Sequence, residues 1–306
     1  MTIIPRPLKK DSVAIIAPSS MTVVNQQILR NIENYFGFIN VIYGKSAQKD
    51  HFSGGTIKER IIDIMDGFKN PKIAIIPIFF TANHLLPYLD YNLIKNNPKI
   101  FIYSDITALN IAIWSKTGLA TYLPTQLHYF ADEYTLHGFE KMVFSENKQV
   151  KFSPSQYRRQ GIRWLNDKKD SRTPIKNDWH VVNKGKSNGT SFNLSTLALL
   201  VGTEYLKIPK DPIIFLEECD LTEWIIRFLE QMYQIGLFRK AKGIVLRFEN
   251  SSKIHYEYLI ENLTRYVKND IPIVLNADFH TEPMMTIPIG VKTTLNTSQR
   301  IISFTL

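Results

Sequence analysis

With 306 residues, 44% of them apolar and 12% aromatic, the chain has material for two domains of usual size and is too rich in aromatics to be intrinsically disordered. Its single cysteine, Cys219, excludes an internal disulfide and a cysteine-rich zinc site and fits a reducing cytoplasm. The net charge of +9 is spread over pairs such as Lys9-Lys10 and Arg158-Arg159, with no zinc finger or long basic helix; we expect a solvated surface that helps hold an anionic substrate, and no nucleic-acid partner.

Met1 to Pro7 has two prolines where a signal peptide needs an apolar stretch. No apolar run approaches the ~20 residues that span a bilayer. A soluble chain made without a removable leader is expected, with no membrane partner. Val13-Ala14-Ile15-Ile16-Ala17, stopped by Pro18-Ser19-Ser20, reads as a buried strand. Residues 26–36 have a helical pattern, with Ile28, Ile32 and Phe36 on one face, and Val41-Ile42-Tyr43 reads as a second strand. Thr56-Ile57-Lys58-Glu59 is a capping box that starts a helix through Phe68. Strands over 72–78 and 99–103 flank a helical stretch over 85–94, and a helix with Leu109, Ile113 and Trp114 buried follows Tyr103. Such alternation implies parallel βαβ units.

From 146 to 190 lysine, arginine, serine and asparagine dominate and Pro154 and Pro174 interrupt any pattern, so a linker or insertion is expected between a 1–145 domain and a 191–306 domain. In the latter, 194–201 reads as helical, 213–216 as a strand, 221–235 as an amphipathic helix, 243–246 and 272–275 as strands, and 290–304 as a closing hairpin.

Ser104 follows a strand and starts a helix, which puts its hydroxyl at the carboxyl end of a parallel strand, where such sheets bind ligands. The N–H of Asp105 can then face a developing oxyanion. Ile102 and Ile106 stand where a Gly-x-Ser-x-Gly elbow has glycine, so a plain helix N-cap also fits Ser104. Glu217 ends the strand Ile213-Ile214-Phe215-Leu216 and suits either a triad carboxylate or a loop acid in water. His280 is one of seven histidines and pattern alone does not select it; no paired His or Cys has metal-ligand spacing.

Taken in order, these segments resemble the LD-carboxypeptidase and microcin C self-immunity family of serine peptidases. The likeness runs from Ala17-Pro18-Ser19-Ser20 through Ser53-Gly54-Gly55-Thr56 and Leu85-Leu86-Pro87-Tyr88-Leu89-Asp90-Tyr91. It is most specific at Pro98-Lys99-Ile100-Phe101-Ile102-Tyr103-Ser104-Asp105-Ile106-Thr107. The resemblance implies an α/β fold: an N-terminal flavodoxin-like parallel-sheet domain and a C-terminal mixed α/β domain of swivelling type. It implies Ser104 as nucleophile, Glu217 as carboxylate, and His280, ahead of Pro288-Ile289-Gly290, as base, with the site between the domains. A small peptide or peptide-nucleotide substrate, no metal or organic cofactor and a homodimer follow from it. Thr117-Gly118-Leu119-Ala120-Thr121-Tyr122 and the basic insertion look nearer the immunity branch, in which Trp164 or Trp179 could stack on a nucleobase if not simply packed in a core.

Two departures set expectations for the pocket. The family's Gly-Gly loop after the third strand is Ile78-Phe79-Phe80 here, and a second Gly-Gly before Asn-Leu is Ser191-Phe192 before Asn193-Leu194. Ile and Phe resist the positive φ that glycine allows. Phe79, Phe80 and Asn193 are therefore expected to line an altered substrate pocket, and a relative that binds its ligand without turnover stands as the alternative.

Overall fold

The computed structural model describes residues 2–8, 13–16, 34, 41–48, 55–70, 74–77, 82–100, 107–123, 132–159, 174–193, 197–218, 222–248, 253–267, 270–279 and 283–306. In the first half, β1 (Val13–Ile16) pairs in parallel with both β2 (Val41–Tyr43) and, across α1 (Ile57–Lys69), β3 (Ala74–Pro77). The capping box that starts α1 is formed. Thr56 Oγ1 accepts from the Glu59 N–H at 3.3 Å, and the Glu59 carboxylate accepts from the Thr56 N–H at 2.9 Å. Of the helix expected over 26–36, only Asn34 lies among the described residues, and it is helical.

The 85–94 stretch, expected as one helix, is two. Pro87 lies in a 3-10 turn over Asn83–Tyr88, and Asp90 then caps α2 (Tyr91–Asn96), accepting from the Leu93 N–H at 2.9 Å. An aspartate one turn after a proline restarts the helix rather than continuing it. α3 (Thr107–Thr117) is buried at every residue from Thr107 to Trp114. A helix apolar all round belongs inside a core, and α3 sits between the two halves of the molecule. It ends at Gly118, whose N–H bonds the Trp114 carbonyl at 2.8 Å, and leads into β4 (Thr121–Leu123).

α4 (Glu133–Val143) leads into the 146–190 segment, expected as a linker or insertion. It carries β5 (Gln149–Phe152), β6 (Tyr157–Arg159), β7 (Pro174–Lys176), β8 (His180–Asn183) and most of β9 (Lys186–Asn193). Then come β10 (Pro212–Glu218), α5 (Thr222–Gln234), α6 (Leu237–Lys240), β11 (Gly243–Phe248), α7 (Lys253–Tyr266) and β12 (Ile273–Leu275). β13 (Ile287–Ile289), β14 (Lys292–Asn296) and β15 (Ile301–Thr305) complete the chain. The eight-stranded sheet runs β5-β15-β14-β9-β10-β11-β12-β8. Its centre, β9 to β12, is parallel, and its flanks are antiparallel.

Alternation along the strands sends side chains to two cores. One face (Phe192, Ile214, Leu216, Leu246, Leu275) packs on α5, α6 and α7 and continues into α1 and α3. The other (Ile213, Phe215, Val245, Val274, Phe304) packs on α4, Tyr122, Trp179 and Phe279. Trp179 is thus a buried core residue, and the reading of it as a base-stacking platform falls.

Candidate functional site

Four parallel strands end together, and the carboxyl edge they form is polar although fully packed. Asn193 closes β9, Glu217 and Glu218 close β10, and Arg247 lies one residue from the end of β11. Asn193 is in register with Phe215, and Glu217 with Arg247. Because every second side chain shares a face, Asn193, Glu217 and Arg247 all project to the side on which Phe215 packs, with neighbouring strands ~4.8 Å apart. All three are buried, at 0%, 7% and 1% exposure. The water-exposed reading of Glu217 is overturned, since its carboxylate sits inside the sheet edge. Charged groups are kept in such places only with partners.

Three contacts bring the first half of the chain to this edge. The Thr107 hydroxyl donates to the Asn193 amide oxygen at 3.4 Å, both residues being buried. β4 pairs antiparallel with β13, Thr121 opposite Ile289 and Leu123 opposite Ile287. Trp114 packs edge-on to Phe192 at 6.0 Å between ring centres and lies flush on Gly290, where a Cβ would come within 1.9 Å of its indole nitrogen. Gly290 has φ +84°, bonds the Ser191 carbonyl through its N–H at 2.8 Å and accepts from Thr2 Oγ1 at 2.7 Å. This is the physical meaning of the Pro-x-Gly motif: only glycine combines that φ with that contact.

Beyond β12 the chain turns at Asn276, φ 59°, and reaches Asp278. The Asp278 carbonyl accepts from the Met285 N–H at 2.6 Å, closing the neck of a loop whose sequence includes His280. One residue inside the neck, the Met284 N–H bonds Thr135 Oγ1 on α4 at 2.9 Å. The Asp278 side chain is 1% exposed and accepts from the Ser155 N–H (2.9 Å), the Asn177 amide (2.6 Å) and the Trp179 indole (2.8 Å). The Ser155 hydroxyl lies 2.7 Å from both Asp278 Oδ1 and the Tyr157 carbonyl, with one proton for the two. Burial pushes the Asp278 carboxyl above its ordinary value; Ser155, then Trp179, then the Arg247 cation pull against that shift.

Of the site residues expected from sequence, Glu217 and Asn193 lie on this edge. Ser104, Asp105, Phe79, Phe80 and His280 lie outside the described residues. What the sequence reading missed is Arg247, Asp278 and the Trp114–Gly290 contact. Arg247 had a signal, being a lone cation ending the apolar run Gly243-Ile244-Val245-Leu246. Among the described residues no three or more His, Cys, Asp or Glu side chains group as metal ligands, and no helix is long and apolar enough to cross a membrane. A cavity of about 370 Å³ lined by Arg6, Tyr122 and Phe144, and one of about 460 Å³ lined by Tyr134, Ser155 and Pro283, border neither Asn193 nor Glu217.

Known proteins share both sequence and architecture with this chain. Residues 13–123 match the LD-carboxypeptidase N-terminal domain and residues 188–295 the LD-carboxypeptidase C-terminal domain. The microcin C7 self-immunity protein MccF of Escherichia coli is 32% identical over 94% of this chain and 90% of its own length. An MccF-like protein from Bacillus anthracis strain Ames superposes over 99% of both chains, with a TM-score of 0.88 and 32% identity. MccF in complex with aspartyl sulfamoyl adenosine does so with a TM-score of 0.87 and 28% identity, over 99% of this chain and 98% of its own. The chain therefore shares its fold with these proteins and belongs to the LD-carboxypeptidase family of serine peptidases.

Proposed function

We propose that this chain hydrolyses an amide bond in a small peptide-like substrate, with Ser104 as nucleophile, His280 as general base and then acid, and Glu217 holding the histidine's tautomer. The observation that carries the reading is convergence. Asn193 and buried Glu217 share one sheet face, Thr107 bonds Asn193 three residues after Ser104, and β13 ties the chain following His280 to β4. Ser104 Oγ forms a C–O bond to the substrate carbonyl as its proton passes to His280. The C–N bond then breaks and His280 returns the proton to the leaving amine. Water, activated by the same histidine, hydrolyses the acyl-enzyme. The Asp105 N–H serves the oxyanion, and Asn193, Phe79 and Phe80 face the substrate.

Within that class we favour a peptide-nucleotide of the microcin C type over a cell-wall tetrapeptide. Likeness to MccF along the whole chain supports this, as does the net charge of +9, which suits an anionic nucleotide. With the reading go a homodimer, a cytoplasmic setting and independence of metals. Light scattering checks the first, and turnover unchanged by a chelator the last.

A second reading, ligand binding without turnover, is motivated by Ile78-Phe79 standing in place of the glycine pair. One experiment separates the two: labelling with a serine-directed fluorophosphonate, alongside cleavage of aspartyl sulfamoyl adenosine and an LD-tetrapeptide. Hydrolysis predicts labelling at Ser104 and cleavage, with Ser104→Ala and His280→Ala each losing at least ~10⁴-fold and the double variant little worse than either. Cleavage by Ser104→Ala at the parent rate would remove the proposed nucleophile. Tight binding with neither labelling nor cleavage would establish the second reading.

A further inference from the structure

Asp278 draws three side-chain or backbone donors onto one buried carboxylate from far along the chain, and it stands two residues before His280. Ser155, Asn177 and Trp179 lie 123, 101 and 99 residues from it. They belong to the segment between α4 and β9, whose strands edge the large sheet (β5, β8) or pair with each other (β6, β7). Three N–H donors converge on the two carboxylate oxygens, with the Ser155 hydroxyl shared, a set that suits an acceptor-only, ionised carboxylate against the pull of burial. The same residue's backbone carbonyl closes the loop neck through Met285. Asp278 therefore fixes both where the loop leaves the sheet and where it returns.

The charge is also placed. Arg247, wholly buried on the neighbouring strand, acts on Asp278 electrostatically and sits in register with Glu217. One cation thus lies between the carboxylate that would orient the histidine and the carboxylate that holds its loop. A base five residues past the end of β12 and two past Asp278 is aimed by how the backbone at Asp278 is held.

We propose that Asp278 is a positioning residue for His280, its buried carboxylate anchoring the histidine loop to Ser155, Asn177 and Trp179. This rests on the hydrolase reading, in which His280 is the base. It adds that the 146–190 segment takes part in catalysis through this anchor rather than as a passive insertion.

The test is inactivation of the full chain by a fluorophosphonate, read as maximal rate constant, half-saturating probe concentration and final stoichiometry of label. Asp278→Asn keeps the shape but loses the charge that accepts three N–H bonds. It is expected to lower the maximal rate constant on the order of 10²-fold, as misplacement of a catalytic group by ~1 Å does. Half-saturation and stoichiometry should stay at parent values. A merely structural residue would instead reduce the number of molecules able to be labelled. Trp179→Phe, which keeps a ring in place and removes one donor, should move the same way by less. If Asp278→Asn fails to fold, Trp179→Phe carries the comparison.

Action through the histidine is read separately. In His280→Ala rescued with free imidazole, the Asp278→Asn change should alter the rate less than twofold, because the mobile base needs no anchored loop. Parent-like inactivation of Asp278→Asn, or an equal loss in the imidazole-rescued background, overturns the proposal while leaving the hydrolase reading intact. A parent protein not labelled at Ser104 overturns the hydrolase reading, and this proposal with it.

Discussion

Glu217, Arg247 and Asp278 are built into the large sheet or tied to it, each nearly inaccessible to solvent and Asp278 gripped by donors from three other residues. The segment that follows Ser104 reaches the same edge on α3 with far less. It has one long hydrogen bond from Thr107 to Asn193, a three-residue ribbon between β4 and β13, and the seat of Trp114 on Gly290. Among the described residues, the side carrying Glu217 and Asp278 is thus pinned by polar contacts, while the helix-borne side meets this edge through those few contacts and is held behind it by apolar packing. In an enzyme whose nucleophile and base sit on different parts of the chain, alignment depends on the weaker set. Changes at those few contacts should therefore disturb activity out of proportion to their distance from the chemistry.

The largest effect is expected at Gly290. An alanine there would take φ +84° and set its Cβ 1.9 Å from Trp114 Nε1 and 2.2 Å from Cδ1, on a rigid ring that cannot fold away. Left-handed strain and overpacking together should cost about 3 kcal/mol or more. The melting temperature should fall by several degrees, with α3 shifted and the fluorophosphonate rate reduced even in the folded fraction. Adding Trp114→Ala relieves the clash, so the double variant should be more stable than the two single losses summed. If Gly290→Ala melts within a degree of the parent, the indole does not seat there and the contrast between the two sides is lost.

A smaller effect belongs to the Thr107–Asn193 pair. A neutral hydrogen bond contributes about 1 kcal/mol, and one of 3.4 Å less. A double-mutant cycle with Thr107→Val and Asn193→Ala should give a coupling of ~0.5 kcal/mol in unfolding. A larger coupling is expected in the inactivation rate, where relative placement of the halves matters. Equal coupling in both readouts would show that this bond stabilises without aligning.

How much of this was legible in the sequence depended on whether the cause was local. The capping box at Thr56-Glu59 was readable because both partners lie within four residues, and short apolar runs such as Ile213-Ile214-Phe215-Leu216 gave the parallel strands. β9 was not readable. Lys186-Ser187-Asn188-Gly189-Thr190-Ser191-Phe192-Asn193 holds one apolar side chain, so no periodicity marks it, and it enters the sheet because β10 and β14 pair with both its sides. The same holds for β5 and β8, short strands that take their place from the sheet they edge, and for β6 and β7, which pair with each other. Glu217 was marked by the strand it ends and singled out only by the family resemblance, its burial depends on the sheet around it, where Arg247 is in register, and the anchor at Asp278 left no local mark.

The smallest expected effect tests the contrast from outside. Thr56 caps α1, on an exposed surface in the first half of the chain, with its hydroxyl 3.3 Å from the Glu59 N–H and 3.0 Å from the Glu59 carboxylate. Thr56→Ala removes the cap and leaves the Glu59 N–H to water, a loss of ~1 kcal/mol. In a chain of 306 residues that is a fall of about 1–2 °C in melting temperature. Thr56→Ser should restore most of it, because a serine hydroxyl caps equally well. The inactivation rate should stay within twofold of the parent in both variants, since the exposed cap touches none of the contacts at Thr107, Trp114 and Gly290. A cap variant that slowed inactivation as much as it lowered the melting temperature would mean that alignment follows general stability. The few contacts at Thr107, Trp114 and Gly290 would then have no special part in holding the two sides together.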